Sequence, residues 1–241
     1  MAALKVAVIY ICPVASEGVE HFPLACRFAS SLHAHPPDHE HDLYIVSNGG
    51  EPDTVTEVLF ASMNPKFIVR KVNNGWDVGG FLEASRQIKA DMLFCLGGPA
   101  HFRRRGWLKR IVAAWEQHGP GVYGTLATFE VRPHINTTGF ACVPELLRYY
   151  PHKVVTRQDR YDFEHGPDAL YIRATQMGLP VKLVTWDGIY DLPAWRTPPN
   201  IYRRGDQSNC LTFWTHSDAF ERADPTTRQR MAMLADRVIT T

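Results

Sequence analysis

"KFIVRKVNNGWDVGGF", residues 66–81, decides how the chain is to be read. An apolar, β-branched run around Phe67, Ile68 and Val69 gives way to a loop that carries Gly75, Gly79 and Gly80 and one carboxylate, Asp77. A strand that leaves through such a loop lets backbone approach a ligand closely, because glycine has no Cβ to hold it off. Asp77 also stands just before a helical pattern, where it can serve as a cap, and capping is compatible with ligand contact.

On both sides of this loop strand-like and helix-like segments alternate. "KVAVIYI", "HDLYIVS", "KFIVRKV", "DMLFCLG" and "GVYGTLATF" read as strands, and the stretches between them carry helical periodicity. The order predicts an α/β fold with a Rossmann-like, mostly parallel central sheet and helices on both faces, its ligand at the carboxyl ends of the strands. After residue 130 come a strand and short helix in "VRPHINTTGFACVPELLRYYP", a helix in "PDALYIRATQMGLP" and a strand in "VKLVTWDGI". A Pro- and Arg-rich loop, "YDLPAWRTPPNIYRRGDQSN", and a terminal helix, "PTTRQRMAMLADRVI", complete the chain. With no linker or repeat, a single domain over 1–241 is expected: a ligand-binding half at 1–130 and a catalytic half at 131–241 whose late loop closes over the site.

Composition narrows the partners. The chain has 241 residues, 45% hydrophobic, enough for a full core. Its 26 Lys plus Arg against 25 Asp plus Glu leave a net charge of +1, so no global attraction to nucleic acid or an anionic membrane is expected. The five scattered cysteines form no C-x-x-C pair, which argues against a disulfide framework or zinc motif and points to a reducing cytoplasm. The apolar start "MAALKVAVIYICP" is too short for a membrane span. Four histidines in "LHAHPPDHEHDL" suggest metal, but they fall before the second strand, at the end of the sheet away from the expected site.

The glycines of 73–81 do not make a dinucleotide fingerprint, which needs G-x-G-x-x-G after the first strand, and no G-K-[ST] supplies a P-loop. In its place after the third strand the loop resembles that of GT-A glycosyltransferases, and the likeness extends along the chain. "VAVIYICP" is similar to the family's first strand, and "LYIVSNGGEPD" to its second strand and acidic turn, with Ser47 and Asn48 where acids often stand. "DFEHGPDALYIRATQMGLPVKLVT" resembles the ED-x-x-L-x-x-R helix and the strand after it. The resemblance implies a nucleotide-sugar donor held by Asn48, Asn74, Gly75, Asp77, Gly79, Gly80, Gly97 and Gly98. It implies a catalytic base at Glu164, with Asp168 as the rival.

One family motif is missing. Where D-x-D is expected after the fourth strand, the chain has Leu96, Gly97 and Gly98, which offer no side-chain ligand to a hard cation, so no metal ligands are assigned and Mn or Mg is left open. Arginine can carry a leaving diphosphate instead. Arg203 and Arg204 on the late loop are the expected pair, ahead of the run Arg103, Arg104 and Arg105. An acceptor would rest against His134, Thr137, Trp186, Asp187 and Trp195, which combine aromatic faces with polar groups, although core packing is the alternative for the tryptophans. The acceptor class, whether glycan, small molecule, protein or nucleic-acid base, is open. The expected function is sugar transfer from a nucleotide-diphosphate-sugar to a hydroxyl. The alternatives are a non-catalytic nucleotide- or sugar-binding module and an NAD(P)-dependent oxidoreductase, the last disfavoured by the missing fingerprint.

Overall fold

The structure is a computed structural model that describes residues 3–14 and 21–236. Its elements in chain order are β1 (Val6–Pro13), α1 (His21–Ala34), β2 (Asp42–Asn48), α2 (Thr54–Phe60), β3 (Lys66–Arg70), α3 (Trp76–Gln87), β4 (Met92–Leu96) and α4 (Trp107–His118). Then follow β5 (Val122–Gly124), β6 (Ala127–Thr128), β7 (His134–Ile135), β8 (Gly139–Cys142), α5 (Pro144–Arg148), α6 (Arg157–His165) and α7 (Leu170–Gln176). The chain ends with β9 (Val181–Val184), β10 (Ile189–Asp191), α8 (Thr215–Arg222) and α9 (Pro225–Ala235). Residues 237–239 of the expected terminal helix lie outside the described residues.

Eight strands form one sheet in the order β10-β9-β5-β8-β4-β1-β2-β3. β4, β1, β2 and β3 are parallel neighbours, as are β5 and β9, which accounts for the expected mostly parallel sheet. β1 lies inside it and is apolar at nearly every position because both of its faces are covered. Tyr10 stacks on Phe28 of α1 with ring centroids 3.7 Å apart, while Ile11, pointing the other way, meets α3. A Cβ on Gly80 would come within 2.7 Å of Ile11 Cδ1, so this glycine lets α3 lie close against the sheet. On the Tyr10 side, Trp107 at the start of α4 stacks on Phe102 at 3.9 Å and on Phe94 of β4 at 5.5 Å.

Two strands run opposite to the rest: β10 at the edge and β8, inserted between β4 and β5. The first residue of β8, Gly139, pairs with Leu96, the last of β4, so the segment 136–138 that leads into β8 arrives at the carboxyl end of the sheet. "GVYGTLATF" is not one strand: it breaks after Gly124, and β6 turns away to pair antiparallel with β7. Asn136 N–H donates to Leu126 O, and Val131 at φ 70° makes the reversal between the two short strands. The antiparallel edge strand β10 and helices α6 and α8 were not anticipated.

The late loop docks beside β4. His101 and Phe213 exchange backbone hydrogen bonds of 2.9 Å, and Asp218 of α8 accepts from Arg27 and, at 2.8 Å, from Arg103. Arg103 is thus tied to the framework, and Arg105 is paired with Asp38 at 2.7 Å. Among the described residues no helix is long and apolar enough to cross a membrane.

Gly75 shows why the 73–81 loop has its shape. It sits at φ 69° as the residue before α3, and its N–H donates to Val155 O at 3.0 Å. A Cβ there would fall inside the van der Waals shell of Val154 O, which is backbone and has little room to move. Gly75→Ala is expected to lower the free energy of unfolding by at least about 2 kcal/mol, from the left-handed conformation plus the overlap. Urea denaturation checks this, and an unchanged midpoint would show that the loop adapts freely.

Candidate functional site at the carboxyl end of the sheet

At the end of β4 the chain presents backbone. Gly97 N–H donates to Thr138 O at 3.0 Å, and Gly98 O accepts from Tyr10 Oη at 2.8 Å. Asp77, in the first turn of α3, lays its carboxylate over this strand end, with Oδ1 3.5 Å from Gly98 N. A Cβ on Gly97 would lie 2.5 Å from Asp77 Oδ2, so the aspartate occupies the space that a side chain at 97 would need. Burial raises the Asp77 pKa; Arg160 and the Gly98 N–H pull it down, and Glu164 pushes it up. Asp77, Arg160 and Glu164 therefore act on one another across one site.

A raised pKa means that the folded chain holds this proton more tightly than the unfolded chain. Stability from it is full below the ordinary carboxylate pKa and is lost as pH rises through the folded value. Asp77→Asn removes that loss, so its Tm at neutral pH should exceed the parent's, and the gap should close near about pH 4. Scanning calorimetry at both pH values checks this; a lower Tm at neutral pH would mean that the carboxylate is held by more than it loses through burial.

Glu164 lies in the last turn of α6, buried, and accepts a 2.5 Å hydrogen bond from Thr137 Oγ1 on the segment entering β8. Arg160, one helical turn earlier, places Nη2 4.0 Å from its Oε1. A cavity of about 790 Å³ opens here between β7, α6 and the late loop, lined in part by His134, Arg160, Glu164, His165, Arg203 and His216. His134 Nδ1 donates to Arg132 O at 2.9 Å, and its ring meets that of His165 edge-on with centroids 4.0 Å apart. Burial lowers the pKa of His134, and that of His165 falls to about 4 through burial and then its neighbour His134. Arg160 Nε, Arg203 Nε and Trp214 Nε1 are buried without a hydrogen-bond partner, a pattern that calls for a polar ligand or water.

The two candidate acids separate. Asp168 pairs with His152 at 2.7 Å and lines a different, smaller cavity of about 440 Å³ with Tyr150 and Lys153. It immediately precedes Ala169, the cap of α7, whereas Glu164 on the preceding helix is the buried carboxylate of the main cavity, whose lining also includes the exposed Glu130 and Asp162. The two late-loop arginines part as well. Arg203 faces the main cavity and donates to His216 Nδ1 at 3.3 Å, whereas Arg204 turns away to Arg196 O and to Asp236 at 3.1 Å.

Beside β2 and β3, Asn48 and Asn74 shape the loop. Buried Arg70, unnoticed in the sequence, donates to Asn48 Oδ1 at 2.7 Å, to Asn74 Oδ1, and to Glu83 at 3.1 Å. Asn48 Nδ2 donates in turn to Asn73 Oδ1 and Trp76 O. A Cβ on Gly79 would stand 2.9 Å from Arg70 Nη2, so Gly79 leaves room for the guanidinium. The residue left facing outward is Trp76, exposed and at φ 46°, a conformation that a bulky residue adopts only under constraint.

The expected acceptor residues fall in three places. His134 lines the main cavity, and Thr137 reaches it only through its hydrogen bond to Glu164. Trp186 and Asp187 line an open pocket of about 390 Å³ in which Arg104 lies over the Trp186 ring at 4.4 Å. Trp195 is fully buried, with its indole N–H donated to Tyr190 O at 3.0 Å, and its place is core packing.

The residues at the end of β4 do not fit a hard divalent cation. Two glycines and one carboxylate engaged with backbone give far fewer oxygen ligands than Mg²⁺ or Mn²⁺ takes.

No family model matches the chain, and no curated protein sequence matches it. Solved structures do. A glucose-1-phosphate thymidylyltransferase assigned in Bacillus anthracis, with bound sucrose, superposes at a TM-score of 0.53 and 10% identity over 98% of both chains. CMP:2-keto-3-deoxy-manno-octonic acid synthetase, complexed with CTP, superposes at 0.51 and 11% identity over 79% of this chain and 94% of that one. S. aureus TarS superposes at 0.48 and 14% identity over 65% of this chain, which spans 32% of the TarS chain. The fold is a Rossmann-like α/β fold like that of the thymidylyltransferase and the CMP:2-keto-3-deoxy-manno-octonic acid synthetase.

Proposed function

We propose that the chain is a glycosyltransferase of GT-A type that moves a sugar from a nucleotide-diphosphate-sugar to an acceptor hydroxyl, with Glu164 as base. One observation carries this: a buried carboxylate, Glu164, is held by Thr137 at the carboxyl end of the sheet, where it opens into the large cavity. The nucleotide lies across the ends of β1, β2 and β4, its base or ribose against Asp77 and the 73–80 loop, with Trp76 as an exposed stacking face. The acceptor enters through the cavity beside His134.

The Thr137 hydrogen bond fixes the Glu164 carboxylate, and Arg160 Nη2 lies 4.0 Å from its Oε1. The carboxylate removes the acceptor proton as the hydroxyl oxygen attacks the anomeric carbon. The bond from that carbon to the diphosphate oxygen breaks, and the charge passes to the diphosphate. Arg203, with an unpartnered Nε, and Arg160 are the cations placed to receive it. No step is assigned to a metal.

Thermal-shift screening against UDP-, GDP-, TDP- and CMP-sugars and NAD tests the reading, since a bound ligand raises Tm by mass action. Stabilisation by a sugar nucleotide, with release of free nucleoside diphosphate when acceptors are added, supports it. Stabilisation by NAD alone would end it. Pyrophosphate release from a nucleoside triphosphate and a sugar phosphate would replace it with nucleotidyl transfer, the activity carried in the name of the B. anthracis protein.

A further inference from the structure

We propose that His134, Glu164 and His165 form a binding site for one transition-metal cation of the Zn²⁺ class, and that its occupancy withdraws Glu164 from work as a base. The inhibitory half rests on the base role given above; the binding half stands without it. One ligand atom from each of the three side chains lies within 4.8 Å of the other two.

Two independent features make these more than neighbouring polar groups. The Nδ1–H of His134 is held by the backbone carbonyl of Arg132, which turns the Nε2 lone pair outward, the orientation usual for a ligating imidazole. His165 has a buried Nδ1 with no hydrogen-bond partner at all. The cluster also lies on the wall of the 790 Å³ cavity, so a cation has an entry path and a fourth position for water.

The donor set chooses the ion. Two imidazoles and one carboxylate suit Zn²⁺, Co²⁺ or Ni²⁺, and they do not supply the oxygen-rich shell of Mg²⁺. Bonds of about 2.0–2.1 Å place tetrahedral ligands roughly 3.3 Å apart, so ligand atoms that lie within 4.8 Å of one another need draw in by no more than about 1.5 Å. His165, beside the α6 cap Gly166, is at the free end of its helix and can turn to do so. Arg160, 4.0 Å from Glu164, opposes a second cation and weakens the expected affinity. A metal here would hold the Glu164 oxygens that otherwise take the acceptor proton.

Titration calorimetry of the full chain with ZnCl₂ is expected to give one site, and Co²⁺ should give visible absorption bands of a four-coordinate ion. His134→Ala and His165→Ala should each weaken Zn²⁺ by at least about tenfold, as removal of a ligand does. His39→Ala, in the distant histidine loop, should leave the affinity unchanged. Absence of binding, or affinity equal to the parent's in both cluster variants, would overturn the site; should His134→Ala fail to fold, His165→Ala alone decides. Zn²⁺ binding that follows the variants in a protein without transfer activity would uphold the site while the proposed function fails. Active enzyme that binds Zn²⁺ at this site yet is not inhibited would overturn the inhibitory half.

Discussion

Glu164→Gln is expected to lower turnover by about 100-fold or more while changing donor affinity little. The amide keeps the size of the side chain and can still accept from Thr137, so the wall of the cavity stays intact. What it loses is the ability to take a proton. Asp168→Asn is the matched control, because that carboxylate is committed to His152 in another cavity and should alter turnover by no more than a few-fold. Single-turnover rates with calorimetric donor affinities make the measurement. Equal rates for Glu164→Gln and parent, with a collapse in Asp168→Asn, would reverse the assignment.

Arg203→Ala should cost on the order of 2–4 kcal/mol in transition-state stabilisation, the usual loss when a preorganised charge contact is removed. Arg204→Ala should cost far less, because that guanidinium is held by Arg196 O and Asp236 on the outer side of the loop. Arg203→Lys should rescue only in part, since an ammonium cannot form the bidentate fork. Activity should also persist in EDTA, with arginine bearing the charge that a D-x-D metal would otherwise neutralise. Loss of activity in EDTA restored by Mn²⁺, or equal effects at 203 and 204, would refute this assignment.

The sequence announced the parallel half of the sheet because β1, β2 and β4 are continuous apolar runs set between periodic helices. It hid α6, since "RQDRYDFEH" is polar on almost every side and shows no apolar stripe. The signal that could have found it is Thr156 followed three residues later by Asp159, a capping box that the structure forms in full. β10 is three residues long, and only the Asp187-Gly188 pair before it hints at a hairpin. In the site, Glu164 was legible as an acid, but its advantage over Asp168 depends on Thr137, 27 residues away. Arg70 and Arg160 were invisible because a lone arginine in a strand or polar helix looks like any solvated charge until its partners fold around it.

The crowding of Asp77 against Gly97 has a meaning for ancestry. A side chain at 97 would push the Asp77 carboxylate aside, and a carboxylate there would add like-charge repulsion. Each acid disfavours the other, so the cost of an acid at either position depends on what stands at its counterpart, 20 residues off. Introducing a strand-end acid by Gly97→Asp alone is expected to be destabilising, and less so together with a small residue at 77. The two positions form an epistatic pair, and any lineage passing between the two arrangements must cross a valley or change both residues together.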